Sequence, residues 1–178
     1  MLTTETKDLT EIKVIIADLL TNPVNQGLTV GIVDPADYQN ITGLANLADS
    51  ANSSHVYFVG KLNDEIVSIS AAGKFIDPTT QKVKILHRLN YVRPDLLKKN
   101  IGLYLLKQKA DYFQNNNWNE DDNTIHFAYT LIDSEEDFFS ILKWDLYTVN
   151  EHNNQVYLGY KARWEQYKTI LDSVIEIV

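Results

Sequence analysis

The chain contains no cysteine, which excludes disulfide frameworks, cysteine-ligated zinc, iron–sulfur clusters and thiol nucleophiles. It also lacks any apolar run near the ~20 residues that a membrane-spanning helix needs. Its start, Met1 to Thr10, is acidic and polar, whereas a secretory leader is basic and then apolar. No signal peptide is expected, and the expected location is cytoplasmic. The sequons Asn40-Ile41-Thr42 and Asn52-Ser53-Ser54 then have no secretory route that would make them acceptors. Basic residues are scarce, with 16 Lys and Arg against 24 Asp and Glu for a net charge of −8. That balance opposes attachment to nucleic acid or anionic lipid and makes a cationic or amine-bearing partner the easier one. With seven glycines, the chain has no Walker loop, no Rossmann Gly-x-Gly-x-x-Gly and no Gly-x-Ser-x-Gly elbow. His55, His126 and His152 lie far apart without His-x-His or HExxH spacing, so no metal site is expected.

What is present is the composition of an ordinary globular domain, 178 residues of which 44% are hydrophobic and 22% charged. A chain of this size can bury roughly 70% of its unfolded surface without staples. Leu9, Ile12, Ile16 and Leu19 recur at helical spacing and stop at Asn22-Pro23, which predicts an N-terminal helix. Leu28 to Val33 reads as a short strand, and Asp34-Pro35 then caps a helix to about Leu47. From His55 the period becomes that of strands. Val56 to Lys61 and Ile66 to Phe75 flank the turn pair Asn63-Asp64, and a third strand runs from Val83 through Ile85, His87 and Leu89 to Tyr91. A helix follows from about Lys98 to Asn115, with Gly102, Leu106, Ala110 and Phe113 on one side. Thr124 to Leu131 is a strand, Ser134 to Leu142 a short helix, and Trp144 to Val149 a strand pairing with Gln155 to Lys161. Trp164 to Ile177 closes the chain as a helix.

The most informative stretch is Tyr91-Val92-Arg93-Pro94, running through Lys98-Lys99-Asn100-Ile101-Gly102 into a helix. Free N–H groups at such a helix start point toward an incoming phosphate. Residues Arg93 to Lys109 hold five basic side chains and one Asp, a local excess that draws an anion or else a basic helix facing solvent. Two acidic clusters, Glu120-Asp121-Asp122 and Glu135-Glu136-Asp137, read as solvated surface or else as groups that attract an ammonium substrate.

The element order and these residues together resemble the GNAT superfamily of acyl-CoA N-acyltransferases, over about Leu28 to Lys161. Val92-Arg93-Pro94 is similar to the end of that family's fourth strand. The pyrophosphate-binding turn of the family, Gln or Arg, x, x, Gly, x, Gly or Ala, falls on Leu97-Lys98-Lys99-Asn100-Ile101-Gly102, where Gly102 is kept and Asn100 replaces the first Gly. Asn tolerates left-handed angles better than most residues. A later signature, Phe-Tyr-x-x-x-Gly-Phe, falls on Phe138-Phe139-Ser140-Ile141-Leu142-Lys143-Trp144, with Phe139 in the place of the Tyr and Lys143 in that of the Gly.

The resemblance implies an α/β (α+β) fold, a mixed and largely antiparallel sheet of six to seven strands flanked by helices. Residues 1–27 would form an N-terminal helical extension, and 28–178 the GNAT-like domain with its C-terminal helix. The fourth and fifth strands would splay, with the acyl-thioester arm of acetyl-CoA in the gap. The co-substrate would be held by Tyr91, Val92, Arg93, Lys98, Lys99, Asn100, Ile101 and Gly102, and no metal is implied. The reaction implied is N-acetyl transfer to a primary amine by direct attack in a ternary complex. It needs a path for the amine proton and an acid for the leaving thiolate. His87 is the third strand's only group titrating near neutral pH, a candidate base or else a core histidine, and Tyr129 is the candidate substitute for the acid missing at Phe139 or else a packing residue. The partners expected are a small-molecule or peptide amine, with neither nucleic acid nor membrane, and a homodimer stays open. Two other readings also stay open: a noncatalytic GNAT-like module that binds CoA or a protein, and a protein sharing the fold alone, with a filled cleft.

Overall fold

The computed structural model describes residues 2–25, 54–97, 100–131, 139, 142–152 and 154–172. A seven-stranded sheet runs through it: β1 (Leu2–Lys7), β2 (Ser54–Leu62), β3 (Glu65–Ile76), β4 (Val83–Val92), β5 (Ile125–Leu131), β6 (Asp145–His152) and β7 (Gln155–Arg163), in spatial order β1-β2-β3-β4-β5-β7-β6. Every neighbouring pair is antiparallel except β4 with β5, which is parallel. A parallel pair needs a crossover, and helix α2 (Ile101–Asn115) supplies it. Two further helices are α1 (Leu9–Leu19) and α3 (Trp164–Asp172). This is the mixed, largely antiparallel α/β architecture that the sequence implied.

Local chemistry accounts for the elements. Asn63 and Asp64 have φ of 51° and 66°, the two left-handed residues that a tight hairpin between β2 and β3 requires. Asp77 closes the next turn by accepting from the Thr79 amide at 2.8 Å. Asp8 caps α1 by accepting from the Glu11 amide at 2.8 Å.

The alternation of β2 to β4 sends side chains to two cores. Phe58, Val67, Ile85 and Val92 meet α2 and α3 on one face, while Val59, Ile69 and Tyr91 meet Ile12 of α1 on the other. Fully burying each such side chain contributes about 1.5–3 kcal/mol.

Differences from the expected elements are specific. The residues ahead of the N-terminal helix form a strand, β1, paired with β2 from Leu2↔Leu62 to Lys7↔Tyr57. Only Leu2 of that strand is buried, so it carries no apolar alternation. The 1–27 segment thus holds its expected helix and also extends the sheet. Helix α2 begins at Ile101, three residues later than expected. The expected elements Leu28 to Val33 and Asp34 to Leu47 lie outside the described residues, as does Ser134 to Leu142 except Phe139 and Leu142.

Candidate functional site

The strands β4 and β5 are paired over only part of their length. Their register runs Lys84↔Ile125, Ile85↔His126, Leu86↔Phe127 and His87↔Ala128, yet β4 continues to Val92 and β5 to Leu131. Beyond His87 and Ala128 no β4–β5 pair exists among the described residues. The change has a local cause. On its other side β4 pairs Ala72↔His87 and then Ala71↔Leu89, so Arg88 is an extra residue, a β-bulge that bends the strand and increases its twist.

The bulge leaves donors facing the gap. The Arg93 amide donates to the Val67 carbonyl at 2.8 Å, so odd-numbered amides in this stretch of β4 point toward β3. Antiparallel ladders alternate, which turns the Asn90 and Val92 amides toward the side where β5 has departed. Of the residues expected to offer N–H groups here, Val92 is therefore oriented for it, whereas Tyr91 and Arg93 are not.

Past Val92 the chain makes a short 3-10 turn, Pro94–Leu96, and reaches α2. Its N-cap is Asn100 at φ 63°, ψ 18°, left-handed, and its side chain makes no capping bond. The Asn100 carbonyl accepts the first helical bond, from Tyr104 at 3.0 Å. The first amides of α2, at Ile101 and Gly102, have no acceptor within the helix. They carry the partial positive charge of its N-terminus. Left-handed geometry at Asn100 is what the resemblance required of a position where the family has glycine.

The electrostatics differ from the sequence count. Arg93 donates to Asp95 at 2.7 and 3.1 Å and to Glu65 at 2.7 Å, and these carboxylates push its pKa further up. Its charge is compensated, so it does not serve as the free cation expected. Lys109 is buried, its Nζ donating to Ser70 Oγ at 2.7 Å and the Ala71 carbonyl at 3.1 Å. Burial pushes its pKa well below the lysine range. Lys98 and Lys99 lie outside the described residues.

His87 closes the paired end of the strands and is 1% exposed. Its ring lies within 5.4–5.7 Å of the rings of Phe113, His126, Trp144 and Tyr167. His126 Nε2–H donates to Asn119 Oδ1 at 2.7 Å, so its Nδ1 accepts from His87 Nε2–H at 3.1 Å. The amide oxygen fixes these tautomers. Burial pushes His87 well below the usual histidine range and His126 down to about 3. Two neutral imidazoles packed in rings match the core-histidine reading of His87 rather than that of a base open to a substrate.

Tyr129 stands on β5 opposite Gly159 of β7, the first β5 position past the last β4 pair. Tyr91 is buried on the α1 face and its hydroxyl donates to Asn25 Oδ1 at 2.8 Å. Phe139 is buried between Trp144 at 4.9 Å and Tyr160 at 6.0 Å. Lys143, in the place of the family's glycine, has φ 58°, a left-handed angle that costs a side-chain-bearing residue roughly 1–2 kcal/mol. In the acidic turn, Glu120 accepts from the Val83 amide and Asp122 pairs with Lys168 at 3.4 Å. Among the described residues no three His, Asp or Glu side chains are grouped to hold a metal ion, and no helix is long and apolar enough to cross a membrane.

Sequence reasoning missed the Arg88 bulge and buried Lys109. A lysine three residues after Leu106 and four before Phe113, inside the apolar stripe of α2, was the available signal.

The fold recurs in solved structures. The N-acetyltransferase from Staphylococcus aureus Mu50 superposes with a TM-score of 0.57 at 17% identity, covering 92% of this chain and 98% of its own. The ribosomal-protein-S18-alanine N-acetyltransferase of Escherichia coli gives 0.52 at 9% identity, over 92% and 94%. Arabidopsis thaliana Naa50, in complex with the bisubstrate analogue CoA-Ac-MVNAL, gives 0.55 at 12% identity, over 90% and 97%. No family model matches the sequence, and no curated protein does. The chain has the GNAT acyl-CoA N-acyltransferase fold.

Proposed function

We propose that the chain is a GNAT-type N-acetyltransferase that moves an acetyl group from acetyl-CoA to a primary amine of a small molecule or peptide. The observation that carries this reading is the opening of β4 from β5 beside the uncapped start of α2. In this reading the Asn90 and Val92 amides of β4 and the Ile101 and Gly102 amides at the α2 start would line one cleft. Donors spaced along a cleft suit a long, polar, phosphorylated ligand. The α2 start would hold the pyrophosphate, with Lys98 and Lys99 adding charge. The β4 amides would hold the pantetheine arm and stabilise negative charge developing on the thioester oxygen.

In the proposed reaction a neutral amine attacks the thioester carbon, the C–N bond forms, the C–S bond breaks, and the thiolate takes a proton. The amine's own proton leaves through a base or through water. Because Phe139 has no hydroxyl, we assign the proton for the thiolate to Tyr129. Arg93 serves instead as a brace, joining the end of β4 to Glu65 and Asp95.

A second reading, a noncatalytic module that binds CoA or a protein, is favoured by one observation: the Phe139 side chain is packed into the core rather than the cleft. Two measurements separate the readings. Acetyl-CoA at ~100 times its dissociation constant should add about 2.7 kcal/mol of stability, read as a thermal shift. Thiol release with a panel of polyamines, amino acids, aminoglycosides and peptides then reports turnover, which Tyr129→Phe should reduce by about 10²–10⁴-fold. Binding without turnover supports the module, and neither supports a shared fold alone.

A further inference from the structure

We propose that Lys109 is a positioning residue for the cleft. It ties helix α2 to the bulged part of the sheet and so holds the Asn90 and Val92 amides in the orientation that receives an acyl-thioester arm. The inference rests on the acetyl-CoA reading above. Lys109 interrupts an otherwise apolar face of α2, with Leu105 and Leu106 before it and Ala110 and Phe113 after it, and it is 0% exposed. Burying a lysine amine is costly, and an apolar side chain of similar length removes that cost while leaving Ser70 Oγ and the Ala71 carbonyl without this donor. What an apolar side chain could not do is reach a backbone carbonyl. Lys109 Nζ does so at Ala71, 3.1 Å away, with Ser70 Oγ as its second acceptor at 2.7 Å.

Ala71 marks the place in the fold that matters. The β3–β4 register slips between Ala71 and Ala72, which is where Arg88 is inserted and β4 begins to leave β5. The same helix that carries Lys109 starts at the left-handed Asn100, eight residues before it from Ile101, or about 12 Å along the axis at ~1.5 Å per residue. One rigid element therefore bears the proposed pyrophosphate turn at its tip and a direct link to the bulge in its body. Lys109 sets the distance between the two halves of the cleft. The titratable groups electrically coupled to it from the sheet are His87 of β4 and His126 of β5.

The test is Lys109→Met in the full chain, read by urea unfolding, calorimetric titration of acetyl-CoA and backbone hydrogen exchange. The expected result is a folded chain with acetyl-CoA affinity weakened about tenfold and faster exchange at the β3-bonded amides of Leu89 and Tyr91, while Val59 and Ile69 are unchanged. A purely structural lysine would lower the unfolding midpoint and leave the dissociation constant alone. A folded Lys109→Met chain that binds within twofold of the parent overturns the proposal. Should that variant not fold, Ser70→Ala decides: affinity about threefold weaker supports the link, and unchanged affinity overturns it. A parent chain that does not bind acetyl-CoA overturns the co-substrate reading and this inference with it. A parent that binds, with Lys109→Met binding equally, overturns this inference alone.

Discussion

Strands β4 and β5 share one pairing and end in opposite ways. From Lys84 to His87, their closed half, they are bonded to each other, with Ile85, Leu86 and His87 buried and the rings of Phe113, Trp144 and Tyr167 around His87. From Arg88 to Val92, its open half, the same β4 has no β5 pair among the described residues. An inserted residue separates the two regimes. In the closed half hydrogen bonds and ring packing serve stability, and in the open half β4 keeps its ladder with β3 while the proposed function would use its other amides. Backbone polar groups need partners, so under the proposed function the ligand would meet the amides of the open half.

The largest break in that contrast should come from the closed half. Phe113→Ala removes a fully buried ring that stacks on Trp118 at 5.1 Å and meets His87 at 5.7 Å. It should cost about 3–5 kcal/mol in urea unfolding, while acetyl-CoA affinity of the chain that remains folded changes little. Next in size is pH. His87 and His126 have pKa values depressed in the folded state, so folding favours their neutral forms. Their contribution is complete above about 6.5 and is lost as pH falls below it. The loss is up to about 1.4 kcal/mol per pH unit for each. The exposed carboxylates Glu5 and Asp77 are lowered from 4.5 and 3.8, so their stabilisation is lost only in a more acidic window. Urea midpoints at pH 7, 6 and 5 should therefore fall before those carboxylates titrate, and a flat profile would contradict the neutral pair.

Smaller effects sharpen the open half. Asn100→Asp keeps a residue that tolerates left-handed geometry and caps well, but places a negative charge where the phosphates are proposed to sit. Affinity for acetyl-CoA should fall about tenfold with the apo melting temperature unchanged or slightly raised. The smallest effect is at Lys143, whose left-handed angle glycine adopts freely. Lys143→Gly should raise stability by up to about 1 kcal/mol, measured from the denaturant midpoint, without altering ligand affinity.

How much of this was legible follows the range of the interaction. Hairpin strands could be read from alternation, the Asn63-Asp64 turn from residue type, and the left-handed Asn100 from the motif it occupies. Local chemistry decides each of them. Strand β1 was not legible because an edge strand with only Leu2 buried has no apolar period. The compensation of Arg93 depends on Glu65, 28 residues earlier. The interior position of Lys109 depends on Ser70 and Ala71, 39 and 38 residues away. The local positive excess was correctly counted along the chain but dispersed in space, one charge to a brace and another to the core. The bulge at Arg88 is a property of the β3–β4 register, which no single strand's sequence specifies.

The central claim is the proposed one, that acetyl-CoA is held by the Asn90 and Val92 amides at the end of β4 and the Ile101 and Gly102 amides at the start of α2. Titration of the isotope-labelled chain with acetyl-CoA, followed by amide chemical shifts, tests it most directly. The account predicts saturable shifts concentrated at Asn90, Val92, Ile101 and Gly102, with Leu86 and Phe127 in the closed half nearly still. Saturable shifts that spare those four amides, or no shifts at millimolar acetyl-CoA, would contradict it.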